Sequence, residues 1–388
     1  MRSTTRIAGV VLLFAGAFAL GLGVSWPRAS RDGVADDERH DVPPALVDQV
    51  KAALVKSYYR DLPASVLSRR SVRGIVASLD PYSEYLPPPA YEALRNRTAR
   101  SYSGVGLTVR PGNGGLIVKG ALEGPARDAG VRPGDRIVMI DGTRVRRLPF
   151  HRSLALIKGE EGTTVRLTVI RPHEGILVFR VTRSEIEVHA VRSRLLVAGG
   201  RKLGYVRIVS FRANAEEEVE QRASRLLRGG AKGFVLDLRG NPGGLLSQAV
   251  ATVSLFVEDG VVCVTEGDER RRVYEVTGSA PFAHVPLVVL VDGGSASAAE
   301  IVAAALDDHN RATTVGRRTY GKAAVQSVRE LSNGAALKLT TAIFRTPRGV
   351  NLTSRGIAPD VRAADRPGTR RDEAIDRAAA VLLHELAA

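Results

Sequence analysis

Two short stretches carry residue types suited to chemistry at a carbonyl carbon. The first, Gly293-Gly-Ser-Ala-Ser-Ala-Ala-Glu300, follows the apolar run Pro286 to Val291, which reads as a buried strand after which Asp292-Gly293-Gly294 turns the chain. It leads into Ser297 to Leu306, an almost wholly apolar run that reads as a buried helix. A serine at that handover faces the unpaired N–H groups and the positive dipole end of the helix, which stabilise negative charge developing on a substrate oxygen. The second stretch, Gly316-Arg-Arg-Thr-Tyr-Gly-Lys322, follows another short strand, Arg311 to Val315, and precedes the alternating run Ala323 to Leu331 that contains Gln326.

Ser297 has two readings. Ser297-x-x-Glu300 ahead of an apolar run is a capping box, in which the hydroxyl only closes the helix. The other reading makes it a nucleophile, with Ser295 as a rival because Gly293-x-Ser295 is half of a nucleophile elbow. A nucleophile needs a base. His309 lies about 18 Å along the same helix, and His284 precedes the strand, about 20 Å or more away. Lys322 follows the next strand in order and would leave the same sheet edge as Ser297. It serves as a base only when neutral, which burial and few nearby cations favour. Gly316 to Lys322 also matches the G-x-x-x-x-G-K of a phosphate loop, but Ala323 has no hydroxyl for a metal and no helix pattern follows, which argues against a nucleotide site. A further junction, Arg239-Gly-Asn-Pro-Gly-Gly244, joins the buried strand Gly233 to Leu238 to a helix from Leu245 to Phe256. Its consecutive glycines can present N–H groups in a nest for an oxyanion, although alone it reads as a strand-to-helix turn.

The elements around these stretches fall into four blocks. Ile7 to Trp26 is a run of twenty uncharged residues behind Arg2 and Arg6, about 30 Å as a helix and long enough to cross a bilayer. Ala17-Phe-Ala19 could be a secretory cleavage site, but the run exceeds a usual signal core, so an uncleaved anchor is favoured and the rest of the chain is expected to be exported. Residues 1–27 are thus an anchor or signal. Residues 28–100 are a polar linker and a helical arm: Pro44 to Tyr59 and Val66 to Leu79 have helical spacing, Pro87-Pro-Pro89 breaks the chain, and Tyr91 to Arg100 is helical. The arm is too small to hold a core alone, so it should dock elsewhere or pair with another subunit in a homo-oligomer.

From Ser101 to about residue 183 short strands alternate with glycine turns. This block resembles a PDZ domain: the glycine-hydrophobic loop Gly104-Val-Gly-Leu107, Ala129-Gly-Val-Arg-Pro-Gly-Asp-Arg-Ile137 and Ile140-Asp-Gly142 fall in the expected order. The resemblance implies that Gly104, Val105, Gly106 and Leu107 hold the terminal carboxylate of a peptide added to a sheet edge. Residues 184–388 read as an α/β block ending in a helix from Asp372 to Leu386 that packs back on it.

Composition narrows the function. The formal charge of +15, from 56 basic and 41 acidic residues, is scattered; Arg270-Arg-Arg272 is too short and too poor in aromatics for a nucleic-acid surface. The excess suits an anionic membrane or envelope surface. Cys263 is the only cysteine and reads as a small buried hydrophobe, so neither a disulfide within the chain nor a cysteine metal cluster can form.

With Asp237-Leu-Arg-Gly-Asn-Pro-Gly-Gly-Leu-Leu246, Gly293 to Ile301 and Thr319-Tyr-Gly-Lys-Ala-Ala-Val-Gln326 in this order behind the PDZ-like block, the chain resembles the C-terminal processing peptidases. Leu79-Asp-Pro-Tyr-Ser-Glu-Tyr-Leu86 and Gly356-Ile-Ala-Pro-Asp-Val361 extend the likeness over nearly everything after the anchor. It implies Ser297 as nucleophile, Lys322 as base, Gln326 as the group that orients the lysine, and the amides of Gly243 or Gly244 and of Ala298 as oxyanion donors, with no metal or cofactor. Ala299 stands where the family often has serine, and Ala323-Ala324 where it often has glycine and threonine. In a fully extended strand Lys322 and Gln326 would lie about 13 Å apart at Cα, so the lysine stem must fold back or the chain must bend after Gly321. The expected fold is multidomain α+β: helical arm, PDZ domain, and an α/β catalytic domain with a mixed sheet. The expected function is a membrane-anchored serine endopeptidase, facing the periplasm or extracellular side, that acts on proteins or peptides with free apolar C-termini. The rival is a non-catalytic PDZ scaffold or chaperone that holds protein tails.

Overall fold

The computed structural model describes residues 12–13, 44–267, 270–365, 369 and 371–387. The expected anchor, Ile7 to Trp26, and the linker after it lie outside the described residues, apart from the two-residue strand β1 (Leu12–Leu13). Among the described residues no helix is long and apolar enough to cross a membrane. The chain forms two compact units, Ala99–Val188 and the two segments that flank it.

The flanking unit begins with α1 (Pro44–Ser57), α2 (Ala64–Leu67), α3 (Val72–Val76), strand β2 (Glu84–Leu86) and α4 (Pro88–Thr98). The sequence suggests one helix from Val66 to Leu79, but the structure splits it: the Ser71 hydroxyl accepts the Gly74 amide at 3.1 Å and starts a new helix there. It also starts α4 inside the proline run, since a first helical turn needs no amide donor from proline. Leu46, Val47, Val50, Ala53 and Leu54 line one face of α1 and bury against Val72, Ile75, Leu331, Leu337 and Leu339. The arm therefore has no core of its own and docks on strands near the C-terminal end of the chain.

Within Ala99–Val188 the elements are β3 (Ser101–Gly104), β4 (Leu107–Gly112), β5 (Gly115–Ala121), α5 (Pro125–Asp128), β6 (Arg136–Ile140), β7 (Thr143–Arg144), α6 (Phe150–Ile157), β8 (Thr164–Arg171), β9 (Gly175–Thr182) and β10 (Ser184–Glu187). The sheet runs β4-β5-β6-β8-β9, with β7 on β6, so β4 is an edge strand. Val118, Ile137, Ile140, Val165, Leu167 and Val169 fill its core. Gly104 ends β3 instead of opening a strand, and Gly106 at φ +77° turns the chain into β4. The ladder between β3 and β10 closes the unit at its base.

The remaining elements are β11 (Val191–Ala198), β12 (Arg201–Ile208), α7 (Ala215–Arg228), β13 (Phe234–Asp237), α8 (Leu246–Ser254), β14 (Val261–Glu266), β15 (Arg271–Glu275), β16 (Leu287–Val291), α9 (Ala298–Asp308), β17 (Thr313–Gly316), β18 (Ala324–Glu330), β19 (Ala336–Arg345), β20 (Val361–Arg362) and α10 (Glu373–Glu385). A mixed sheet runs β11-β12-β13-β16-β17-β20, antiparallel at β11–β12 and parallel beyond. Alternation sorts its two faces. Phe234, Leu236, Leu287, Val289 and Val291 pack with α7, α8 and α9, whereas Val235, Val288 and Leu290 pack under α10 through Ile375, Ala378 and Leu382. A second sheet, β18-β19-β14-β15 with β1 and β2 on its flanks, is antiparallel throughout. Chain segment 317–323 crosses from the mixed sheet to this one, and Lys322 sits on the crossing.

Candidate active site

Strands β13 and β16 are parallel neighbours, so their C-terminal ends deliver the glycine turn and the serine turn to one edge of the mixed sheet. Asn241 ties the two together: its carbonyl accepts the Ala296 amide at 2.9 Å, while its side chain accepts the Gly243 amide at 2.8 Å and donates to the Ile208 carbonyl at 2.9 Å. Gly243 has φ +99°, and a Cβ there would come within 3.0 Å of Ser297 Cβ. Gly244, at φ +153°, would meet the Phe211 carbonyl at 2.2 Å. Both positions exclude a side chain by contact as well as by φ.

Ser297 is fully buried and caps α9 at φ +60° and ψ −115°. A non-glycine residue there stores about 1–3 kcal/mol of strain. Only the reverse half of the capping box carries a sound hydrogen bond: Glu300 Oε2 accepts the Ser297 amide at 2.9 Å. The Ser297 hydroxyl lies within capping-box reach of the Glu300 amide but has no hydrogen-bond partner among the described residues. Ser295 is different. Its hydroxyl donates to the Leu238 carbonyl at 2.8 Å and accepts the Asp292 amide at 3.0 Å, so it is a structural member of the turn. Ser297→Gly is expected to be more stable than Ser297→Ala by about 1 kcal/mol, the strain relieved less the larger unfolded-state entropy of glycine, and so to unfold at a higher temperature. Thermal unfolding of the two variants checks this, and a less stable glycine variant would show the backbone there to be relaxed.

Glu300 does more than its sequence position indicates. Its Oε1 accepts from the Thr319 hydroxyl at 2.5 Å and the Gly321 amide at 2.7 Å, and its Oε2 accepts the Lys322 amide at 2.9 Å beside that of Ser297. Four donors offset the cost of burying the carboxylate. The backbone nitrogens of Ser297 and Lys322 thus converge on a single oxygen atom. The Gly356 to Val361 segment braces the same loop, for Ile357 and Thr319 exchange hydrogen bonds of 2.7 and 3.1 Å.

Lys322 is 2 % exposed. Burial pushes its pKa down to about 8; Lys338 adds to this, and Asp80 and Glu300 oppose it. Its Nζ donates to Gln326 Oε1 at 3.0 Å. The extended-strand separation does not apply, because β18 begins only at Ala324, Gly321 turns the chain at φ +87°, and the ladder is irregular between Val325 and Gln326. The far side of Gln326 was not legible in sequence: its amide donates to the Tyr82 carbonyl, and the Tyr82 ring lies 5.0 Å from Lys322 Nζ. The one available signal was the Leu79 to Leu86 motif. The two histidines are remote from this work, His309 resting on the Val261 carbonyl at 2.8 Å and His284 beside Glu258 on the surface. Cys263 is fully buried, and burial raises its thiol to about 12.

In the other unit, Gly104, Val105 and Gly106 are buried and Leu107 is half-buried. The amides of Val105 and Gly106 donate to no described residue, whereas their carbonyls are taken by Ala126 and Leu122. Such a pair of free donors beside an open edge strand can receive a carboxylate.

Among known proteins, residues 202–363 match the profile of Peptidase family S41, and residues 117–171 match that of the PDZ domain. The chain is 32 % identical over 331 residues to a protein of Bacillus subtilis named carboxy-terminal processing protease CtpA, spanning 84 % of this chain and 69 % of that one. It is 38 % identical over 287 residues to a carboxyl-terminal-processing protease of Picosynechococcus, spanning 72 % and 69 %. A solved photosystem II D1 C-terminal processing protease superposes with a TM-score of 0.53 at 29 % identity, covering 86 % of this chain and 96 % of that one. The reading as a scaffold without activity falls with these likenesses. A PDZ domain between the two chain segments of a two-sheet α/β unit, with these relatives, makes the chain a serine-type peptidase of family S41, the carboxyl-terminal processing proteases.

Proposed function

We propose that the protein cleaves exported or envelope proteins with Ser297 as nucleophile, Lys322 as general base and Gln326 as the group that holds the lysine, after its PDZ domain has captured the free C-terminal tail. The observation that supports this most is the meeting of Ser297 and Lys322 on Glu300: an unpartnered, strained serine at a helix N-terminus and a buried lysine of lowered pKa are joined through one carboxylate. Neutral Lys322 takes the proton as Ser297 Oγ attacks the scissile carbonyl carbon. The resulting oxyanion is received by the Ala298 amide at the start of α9 and by the glycine loop, where Gly243 is engaged by Asn241 and Gly244 is uncommitted. Protonated Lys322 then gives its proton to the leaving amine. Water, activated by the same lysine, hydrolyses the acyl-enzyme and restores Ser297. The Ser297–Lys322 hydrogen bond has to form as substrate closes the site. Export and attachment to an anionic membrane through Ile7 to Trp26 belong to the same proposal.

The test uses a protein substrate with an unstructured, apolar C-terminus as a free acid and as an amide, with Ser297→Ala as blank. Amidation removes a charge-assisted bond to the Gly104 to Leu107 loop, worth about 1.5–3 kcal/mol, so kcat/KM should fall about tenfold or more with kcat unchanged. Equal kcat/KM for both forms would show that the domain does not select tails.

A further inference from the structure

We infer that Tyr82, on the N-terminal arm, is a positioning residue for the catalytic lysine: its carbonyl fixes the rotation of Gln326 and its ring seals Lys322 from water. This rests on the Ser297–Lys322 reading given above.

A carbonyl can only accept, so the Gln326 group that meets Tyr82 is the NH2, and its oxygen must face Lys322 Nζ. The Tyr82 ring is half-buried and stands over Nζ of the nearly inaccessible Lys322, with its centroid 5.0 Å away. Asp80 holds the turn that carries it. Its carboxylate accepts from the Tyr82 amide at 2.8 Å, the Ser83 amide at 3.2 Å, the Ser83 hydroxyl at 2.5 Å, the Tyr58 hydroxyl at 3.2 Å and the Thr340 hydroxyl at 2.8 Å. Those partners come from the end of α1, the turn itself and β19, so docking of the arm and seating of the lysine are one polar network. Among the described residues, the charged groups that act on Lys322 include Lys338, which favours the neutral amine, and Asp80 and Glu300, which oppose it; Lys338 is itself bonded to Glu84 at 2.7 Å.

The experiment is the pH profile of kcat/KM between about pH 6 and pH 10 for wild type, Tyr82→Ala, Tyr82→Thr and Tyr82→Phe. Opening the ring's space admits water, which solvates an ammonium better than a ring face does, so the Ala and Thr variants should titrate about one unit higher than wild type. Their rates should fall about tenfold at neutral pH and recover in alkali, whereas Tyr82→Phe, which keeps ring and carbonyl, should restore the wild-type midpoint. A midpoint equal to wild type in whichever of the two small variants folds would overturn the inference, whatever the absolute rates. Failure of the underlying reading looks different: Lys322→Ala would keep its activity, and wild type would show no ionisation of this kind.

Discussion

Ser297→Ala is expected to lose about 10,000-fold or more in kcat with its fold intact, as found when the nucleophile of a catalytic unit is removed. The hydroxyl makes no hydrogen bond among the described residues, so its deletion leaves no donor or acceptor there stranded. Ser295→Ala should behave in the opposite way. It deprives the Leu238 carbonyl and the Asp292 amide of their partner and should cost about 1–3 kcal/mol of stability, while the folded fraction keeps cleaving within about tenfold of wild type, a loss of about 1.4 kcal/mol at most. Cleavage of the unstructured-tail substrate, followed by mass spectrometry and normalised to folded protein, separates the two. Equal losses would remove Ser297 from its role.

Lys322→Arg should be inactive, by about 100- to 10,000-fold, although it preserves the charge. Arginine stays protonated at any pH the protein survives and cannot accept the serine proton. The sign of the pH dependence follows from the same requirement. Burial disfavours the ammonium, bringing Lys322 to about 8, and since the neutral amine is the working form, activity rises with pH through that value and then levels. At pH 7 only about a tenth of the enzyme carries the neutral base. An arginine variant that cleaves, or a wild-type profile that falls with rising pH in this range, would exclude the lysine as base.

The two strand-to-helix turns were legible because each is written locally: an apolar run of strand length, glycines or small residues, then a run of helical length. So was the turn at Gly104 to Leu107, where Gly106 at φ +77° passes the chain into β4. What could not be read was set by residues far apart in the chain. Glu300 looks like half of a capping box until Thr319, Gly321 and Lys322 come back to it. Of the two ways open for Lys322 to reach Gln326, the pattern could not choose the bend after Gly321, because alternation does not reveal that the strand starts two residues after the lysine. The break between α2 and α3 turns on a single serine cap within a helix-compatible pattern. The second sheet escaped notice because β14, β15, β18 and β19 are interleaved in sequence with members of the first.

The docking of the arm also fixes the order in which the protein can mature. The partners of α1 and Tyr82 in and between β18 and β19 are made more than 240 residues after them, and contacts of such long sequence separation are the slowest to form. During synthesis the part of the α1 face that packs on Leu331, Leu337 and Leu339 waits uncovered, a surface that invites chaperones. If Lys322 is the base, a chain that still lacks β18 and β19 has no seat for it, and a partly made chain is expected not to cut its neighbours or itself.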